Sequence, residues 1–140
     1  MRNRAGGILI ENGKVLLIHR IKDNDEYYVF PGGGIETNET IEQATKRELL
    51  EEAGIEVELI EKNPRYILKN ESGIQYFSLV KRVKGIIGTG KGPEFTDKSY
   101  EKHGKYIVEM ISIKDIVNEK INLVHLEIKE KFLKDFYTVF

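Results

Sequence analysis

Glu48, Glu51 and Glu52 fall within a run, Thr40 to Ala53, that is rich in strong helix formers and free of Pro and Gly. In a helix, positions i, i+3 and i+4 share one face, so the three carboxylates make a stripe that Ala44 and Ile55 continue at i−4 and i+7. The placement is locally unfavourable. Like charges at this spacing cost roughly 0.2–0.5 kcal/mol per pair, and acids in a last turn oppose the helix dipole by roughly 0.3–1 kcal/mol each. An acid-rich helix partly neutralised by Lys46 and Arg47 is the bland account of the pattern. A bound divalent cation is the chemical one, because it reverses both penalties. The cluster holds no His and the chain no Cys, so its oxygen donors suit a hard ion such as Mg²⁺ or Mn²⁺ rather than zinc.

Just upstream lies Pro31-Gly-Gly-Gly34, where glycine lets the backbone come close to a ligand or metal. Gly33 is followed after five residues by Glu39, and after seven more by Arg47-Glu-Leu-Leu-Glu-Glu-Ala-Gly-Ile55. This run resembles the Nudix hydrolase family, whose box reads G-x5-E-x7-R-E-U-x-E-E-x-G-U with U a bulky aliphatic residue. All nine fixed positions are present over 23 residues: Gly33, Glu39, Arg47, Glu48, Leu49, Glu51, Glu52, Gly54 and Ile55.

The resemblance implies an α/β/α sandwich around a mixed sheet, with the box as a loop, helix and loop that bind divalent metal. It makes Glu48, Glu51 and Glu52 the expected ligands of Mg²⁺, with Mn²⁺ as the substitute. A Gly32 or Gly33 carbonyl is expected to join them, and Glu36 to assist through water. Arg47 completes the expected catalytic set; the resemblance gives it and Glu39 supporting roles, with Arg47 able to hold a carboxylate through forked hydrogen bonds and fix its direction. Asn38 stands where relatives commonly carry Gly, and Asn is among the few residues that tolerate left-handed backbone.

The implied reaction is hydrolysis of a nucleoside diphosphate linked to another moiety, by water attack on phosphorus. Two sources of a general base stay open: a box glutamate, with Glu48 favoured, or a later carboxylate among Glu94, Asp97 and Glu101, close to His103. Arg20 and Arg4 are candidate phosphate contacts, and Gly33 and Gly34 candidate backbone contacts to substrate. Tyr27 or Tyr28 could stack on a base, an interaction of about 1–3 kcal/mol. Strand alternation sends those two rings to opposite faces, so one of them belongs to the core.

The expected partner is a small nucleotide or related diphosphate, in the cytoplasm, with nucleic acid not expected and a homodimer left open. The rivals are a Nudix-fold nucleotide sensor and an RNA 5′-end pyrophosphohydrolase. The intact carboxylates weigh against the first. The near-neutral charge weighs against the second, although Lys81, Arg82 and Lys84 could face RNA. Gly85 to Lys91 imitates a phosphate loop, but Gly92-Pro93 replaces the hydroxyl residue and helix such a loop requires.

Several elements must position these groups. Ala5–Ile10 and Lys14–Ile18 read as a hairpin around Asn12-Gly13, and Tyr27–Phe30 as a short strand ending at Pro31. The carboxylate helix runs to a Gly54 cap. Strands are predicted at 55–60, 65–69, 74–83 and 106–113, a long loop at 85–102, and a final helix carrying Ile128, Phe132, Leu133, Phe136 and Tyr137. The 140 residues predict one domain spanning 1–140. The composition is 40% hydrophobic and 32% charged, with 22 Lys plus Arg against 23 Asp plus Glu, as expected of a soluble globular chain. No early apolar run approaches the ~20 residues of a membrane span.

Overall fold

A computed structural model describes residues 2–92 and 104–137. The chain order is β1 (Arg4–Glu11), β2 (Lys14–Lys22), β3 (Asp25–Val29), β4 (Gly32–Gly34), α1 (Ile41–Ala53), β5 (Ile55–Leu59), β6 (Tyr66–Asn70), β7 (Gly73–Gly85), β8 (Lys105–Ser112), α2 (Ile113–Val117) and α3 (Leu126–Phe136).

The sheet is mixed. β1 runs parallel to β7 and antiparallel to β4, while β5 and β6 both pair antiparallel with β7. On the other side β2 lies antiparallel between β3 and β8. The two halves meet at the Asn12-Gly13 hairpin, whose residues have φ of 53° and 75° as a twisted two-residue turn requires. Between β1 and β2 only Ile10 with Val15 and Glu11 with Lys14 are in register, so the halves part beyond the turn and leave a cleft.

Alternation along the strands sorts the core into two layers. Leu9, Leu16 and Val80 pack with Leu49 and Ala53 of α1 on one face. Ile8, Val15, Leu17, Phe77 and Leu79 pack with Ile116 of α2 and with Ile128 and Phe132 of α3 on the other. The layered α/β architecture is therefore the one expected. No helix among the described residues is long and apolar enough to cross a membrane.

The structure departs from the expected elements at four places. The polar stretch 21–26 carries a second hairpin, with Lys22 opposite Asp25 and Asp23 at φ 54°. Gly32–Gly34 forms a strand rather than a loop, because its three residues pair with Arg4, Ala5 and Gly6 of β1. The strand predicted to reach Ile113 stops at Ser112, where Ile113 and Ile116, three apart, bury themselves as one face of α2. The final helix ends at Phe136, with Tyr137 beyond it.

Candidate functional site

Helix α1 is fixed at both ends. Thr40 accepts the Gln43 amide at 3.0 Å while the Gln43 side chain accepts the Thr40 amide at 2.9 Å, a reciprocal cap that satisfies two end donors. At the other end Gly54, at φ 77°, donates to the Leu50 carbonyl at 3.0 Å. Leu49 and Ala53 anchor the helix to the sheet, which turns Glu48 and Glu52 toward β4.

Glu52 is 7% exposed, and one of its carboxylate oxygens accepts the Gly32 amide at 2.7 Å. Glu48 lies against Gly33 so closely that a Cβ on residue 33 would overlap its carboxylate. A side chain at residue 33 would displace that carboxylate.

Arg47 organises the surroundings. Its Nε and Nη2 fork onto Glu39 at 2.7 and 2.8 Å, Nη1 donates to Glu48 at 2.8 Å, and Nη2 also donates to the Gly34 carbonyl at 2.9 Å. Glu51 lies 3.5 Å from Nη1, and the more exposed Glu36 3.8 Å. These hydrogen bonds hold the Glu39 carboxyl down at about 2, below its ordinary 4.5, and push Arg47 further up. Glu39 also accepts the Glu36 amide at 3.0 Å, closing the turn in which Asn38 has φ 65°. Lys46 is occupied elsewhere, 3.1 Å from Glu42.

Glu48, Glu52, Gly32 and Gly33 form one wall of a cavity of about 500 Å³ in the cleft between the sheet halves. Arg4, Arg20, Tyr27 and Tyr106 line it too. The Arg20 guanidinium sits over the Tyr106 ring at 3.7 Å and is 5.9 Å from the Tyr27 centroid. Arg4 Nη2 reaches the Gly32 carbonyl at 3.5 Å. The cavity thus brings carboxylates and guanidinium groups together in one space, and guanidinium forks match the oxygens of a phosphorylated ligand.

Of the predicted site residues, the structure brings Glu48, Glu52, Gly32, Gly33, Arg4, Arg20 and Tyr27 to this cavity. Tyr28 is the core member of its pair: it stacks on His19 at 4.2 Å and packs against the layer under α3, so it is withdrawn as a base platform. Gly34 is likewise withdrawn as a substrate contact, since its carbonyl serves Arg47 and the Arg2 side chain occupies the space beside its Cα. Glu94, Asp97, Glu101 and His103 lie outside the described residues. Among the described residues no three His, Asp or Glu side chains are gathered as a metal cluster. Arg47 draws Glu48 and Glu51 toward itself, and Glu52 turns to the Gly32 amide.

Sequence reasoning missed Tyr106, Gln75 and His125, which also line the cavity. Gln75 and His125 lie 3.5 Å apart. The signal for Tyr106 is its register opposite Arg20 in the β2–β8 pair, which is visible only once the pairing is known.

A NUDIX domain model matches residues 1–126. An RNA pyrophosphohydrolase from Wolbachia pipientis is 40% identical over 88 residues, 61% of this chain and 49% of that protein. An 8-oxo-dGTP diphosphatase from Haemophilus influenzae is 47% identical over 53 residues, 36% of this chain and 39% of its own length. The chain thus spans half or less of the length of these relatives. A solved NUDIX hydrolase from Nitrosomonas europaea shares the fold, with TM-score 0.71, 20% identity and coverage of 97% and 88% of the two chains. A family model spanning nine-tenths of the sequence, on a fold that places the box helix against the glycine strand, shows that this chain belongs to the NUDIX family.

Proposed function

We propose that the chain hydrolyses a pyrophosphate bond in a nucleoside diphosphate linked to another moiety, using a divalent cation and water attack on phosphorus. The observation that carries this reading is the cleft wall on which Glu48 and Glu52 stand beside Gly32 and Gly33, in one cavity with Arg4 and Arg20. The donors fit a hard cation: carboxylate and glycine carbonyl oxygens, with the Gly33 side-chain space already filled by Glu48. Mg²⁺ is the expected ion and Mn²⁺ its substitute, held by Glu48, Glu52 and Glu51 with a glycine carbonyl. When bound, the ion supplies charge neutralisation for the diphosphate and a more acidic water.

The chain's own residues do the rest. Arg20 and Arg4 hold phosphate oxygens, and Tyr27 and Tyr106 offer flat faces to a base or ribose. Arg47 keeps Glu48 oriented by its hydrogen bond, so the carboxylate meets substrate in one geometry. Glu48 takes the proton from the attacking water, and the Glu52 bond to the Gly32 amide ties α1 to β4 within the wall that carries it. The activity belongs in the cytoplasm.

A small nucleotide is the favoured substrate. RNA 5′-triphosphate is the second reading, supported by the name of the Wolbachia relative. The basic strip expected to serve RNA is partly neutralised, since Arg82 forks onto Glu11 at 2.8 and 3.1 Å and Lys81 lies 3.9 Å from Glu58. The test is a panel of nucleoside triphosphates, nucleotide sugars, ADP-ribose, dinucleoside polyphosphates and 5′-triphosphorylated RNA, assayed for released products with and without Mg²⁺. Metal-dependent turnover of a small compound supports the main reading, and turnover of the RNA alone supports the second. Binding without turnover across the panel would replace both with a nucleotide sensor.

A further inference from the structure

The segment 85–92 that imitates a phosphate loop lies against the C-terminal end of α1. The Gly88 amide donates to the Ala53 carbonyl at 3.0 Å, and the Gly92 amide to the Glu51 carbonyl at 2.9 Å. A helix leaves its last four carbonyls without partners inside it. Gly54 answers that of Leu50, and this segment answers two more. Thr89 donates its hydroxyl to the Ile86 carbonyl at 2.7 Å, which closes the turn, and Ile87 packs on the layer beneath α1.

Between the two donors sits Gly90, whose Cβ, if present, would overlap the carbonyl oxygens of Glu51 and Glu52. Its φ lies outside the left-handed region, so alanine would suit its own backbone. The requirement for glycine comes from the helix pressed against it. The last turn of α1 carries two acids and no basic residue, an arrangement that the helix dipole disfavours. Backbone amides supply there the positive ends that a Lys or Arg would otherwise bring.

We propose that residues 85–92 form a tertiary cap on α1, in which Gly90 is a positioning residue for Glu51 and Glu52. Its contact sets the height of the turn from which both carboxylates project. The link to catalysis rests on the metal-binding role given to those carboxylates above. A methyl group at residue 90 lifts the segment, releases the Gly88 and Gly92 amides from their carbonyls, and frees the last turn to shift.

The test compares wild type, Gly90→Ala and Ile86→Ala, the last removing a side chain that is 73% exposed while keeping its carbonyl. Mn²⁺ binding to the metal-free protein is read by titration calorimetry, kcat and KM in Mg²⁺, and folding by thermal melts. Groups that orient metal ligands typically govern affinity or activity by roughly 10–100-fold, so Gly90→Ala should weaken Mn²⁺ at least about tenfold and lower kcat similarly, with KM within about threefold. Ile86→Ala should match wild type. A folded Gly90→Ala protein with wild-type Mn²⁺ affinity and kcat overturns the proposal, even if its melting temperature falls.

Amide exchange on wild type keeps the question open to refutation should Gly90→Ala not fold. The Gly88 and Gly92 amides should exchange as slowly as those of α1, and open-chain rates at both overturn the cap. A wild type that binds no Mn²⁺ and turns over nothing sinks the metal reading alone, and the exchange rates still decide the cap.

Discussion

Arg47 joins three parts of the site through one planar group, binding Glu39 on the turn before α1, Glu48 on the helix and the Gly34 carbonyl on β4. The fork onto Glu39 has a consequence for pH. The Glu39 carboxyl titrates at about 2 in the folded chain against 4.5 ordinarily, so the stability it contributes is complete above about 4.5. It is lost progressively as pH falls from there toward 2. Melting temperatures recorded from neutral to acid pH should show this loss in wild type, and Glu39→Gln should lack that component while being less stable at pH 7. Equal acid dependence in the two proteins would mean that the fork does not hold Glu39 in solution. At this scale the sequence was unusually informative, because spacing alone placed Glu48 and Glu52 on one face. It could not assign the fork to Glu39, since that depends on how the turn around Asn38 folds back on the helix.

At the scale of elements, α1 depends on its caps because its exposed face mixes charges of both signs and its last turn is acidic. Removing the reciprocal cap with Thr40→Ala should cost about 1 kcal/mol, read as a shift in urea midpoint at unchanged slope. An unchanged midpoint would place the stability of the helix wholly in its Leu49 and Ala53 contacts. The elements that sequence pattern identified are those with a strong local signature: the Asn12-Gly13 turn, the uninterrupted helix 41–53 and the apolar spacing from Ile128 to Phe136. The ones it missed are governed by partners distant in sequence. Gly32–Gly34 has no strand propensity of its own and is extended because β1 pairs with it, while α2 is too short for a periodic signal to rise above the strand before it.

Over the whole molecule, the near-equal totals of acids and bases conceal a division across the cleft. The half of the sheet that carries α1 brings the carboxylates together with Arg4 of β1, and the other half brings Arg20 of β2. That division follows from topology: the two halves of the sheet share only the end of one hairpin, so each contributes a wall. Arg20, held against Tyr106, is the residue through which the β2 wall should act on phosphate. Arg20→Ala should raise KM roughly tenfold with a smaller change in kcat, as expected for a contact made in both ground and transition states. A selective loss of kcat would instead assign it to the transition state. The cleft itself was invisible in the sequence, because Tyr106, Gln75 and His125 reach it from three separate segments and no spacing rule connects them.

The central claim is that the box carboxylates drive metal-dependent hydrolysis from this cleft, and Glu52→Gln tests it most directly. Glutamine keeps an oxygen to accept the Gly32 amide, so the fold and the strand contact should survive while the charge is lost. Turnover of the best panel compound, measured against Mg²⁺ concentration in both proteins, is predicted to fall by two orders of magnitude or more in the variant at equal melting temperature, about 3 kcal/mol of transition-state stabilisation. Equal turnover and equal Mg²⁺ dependence in the two proteins would contradict the account.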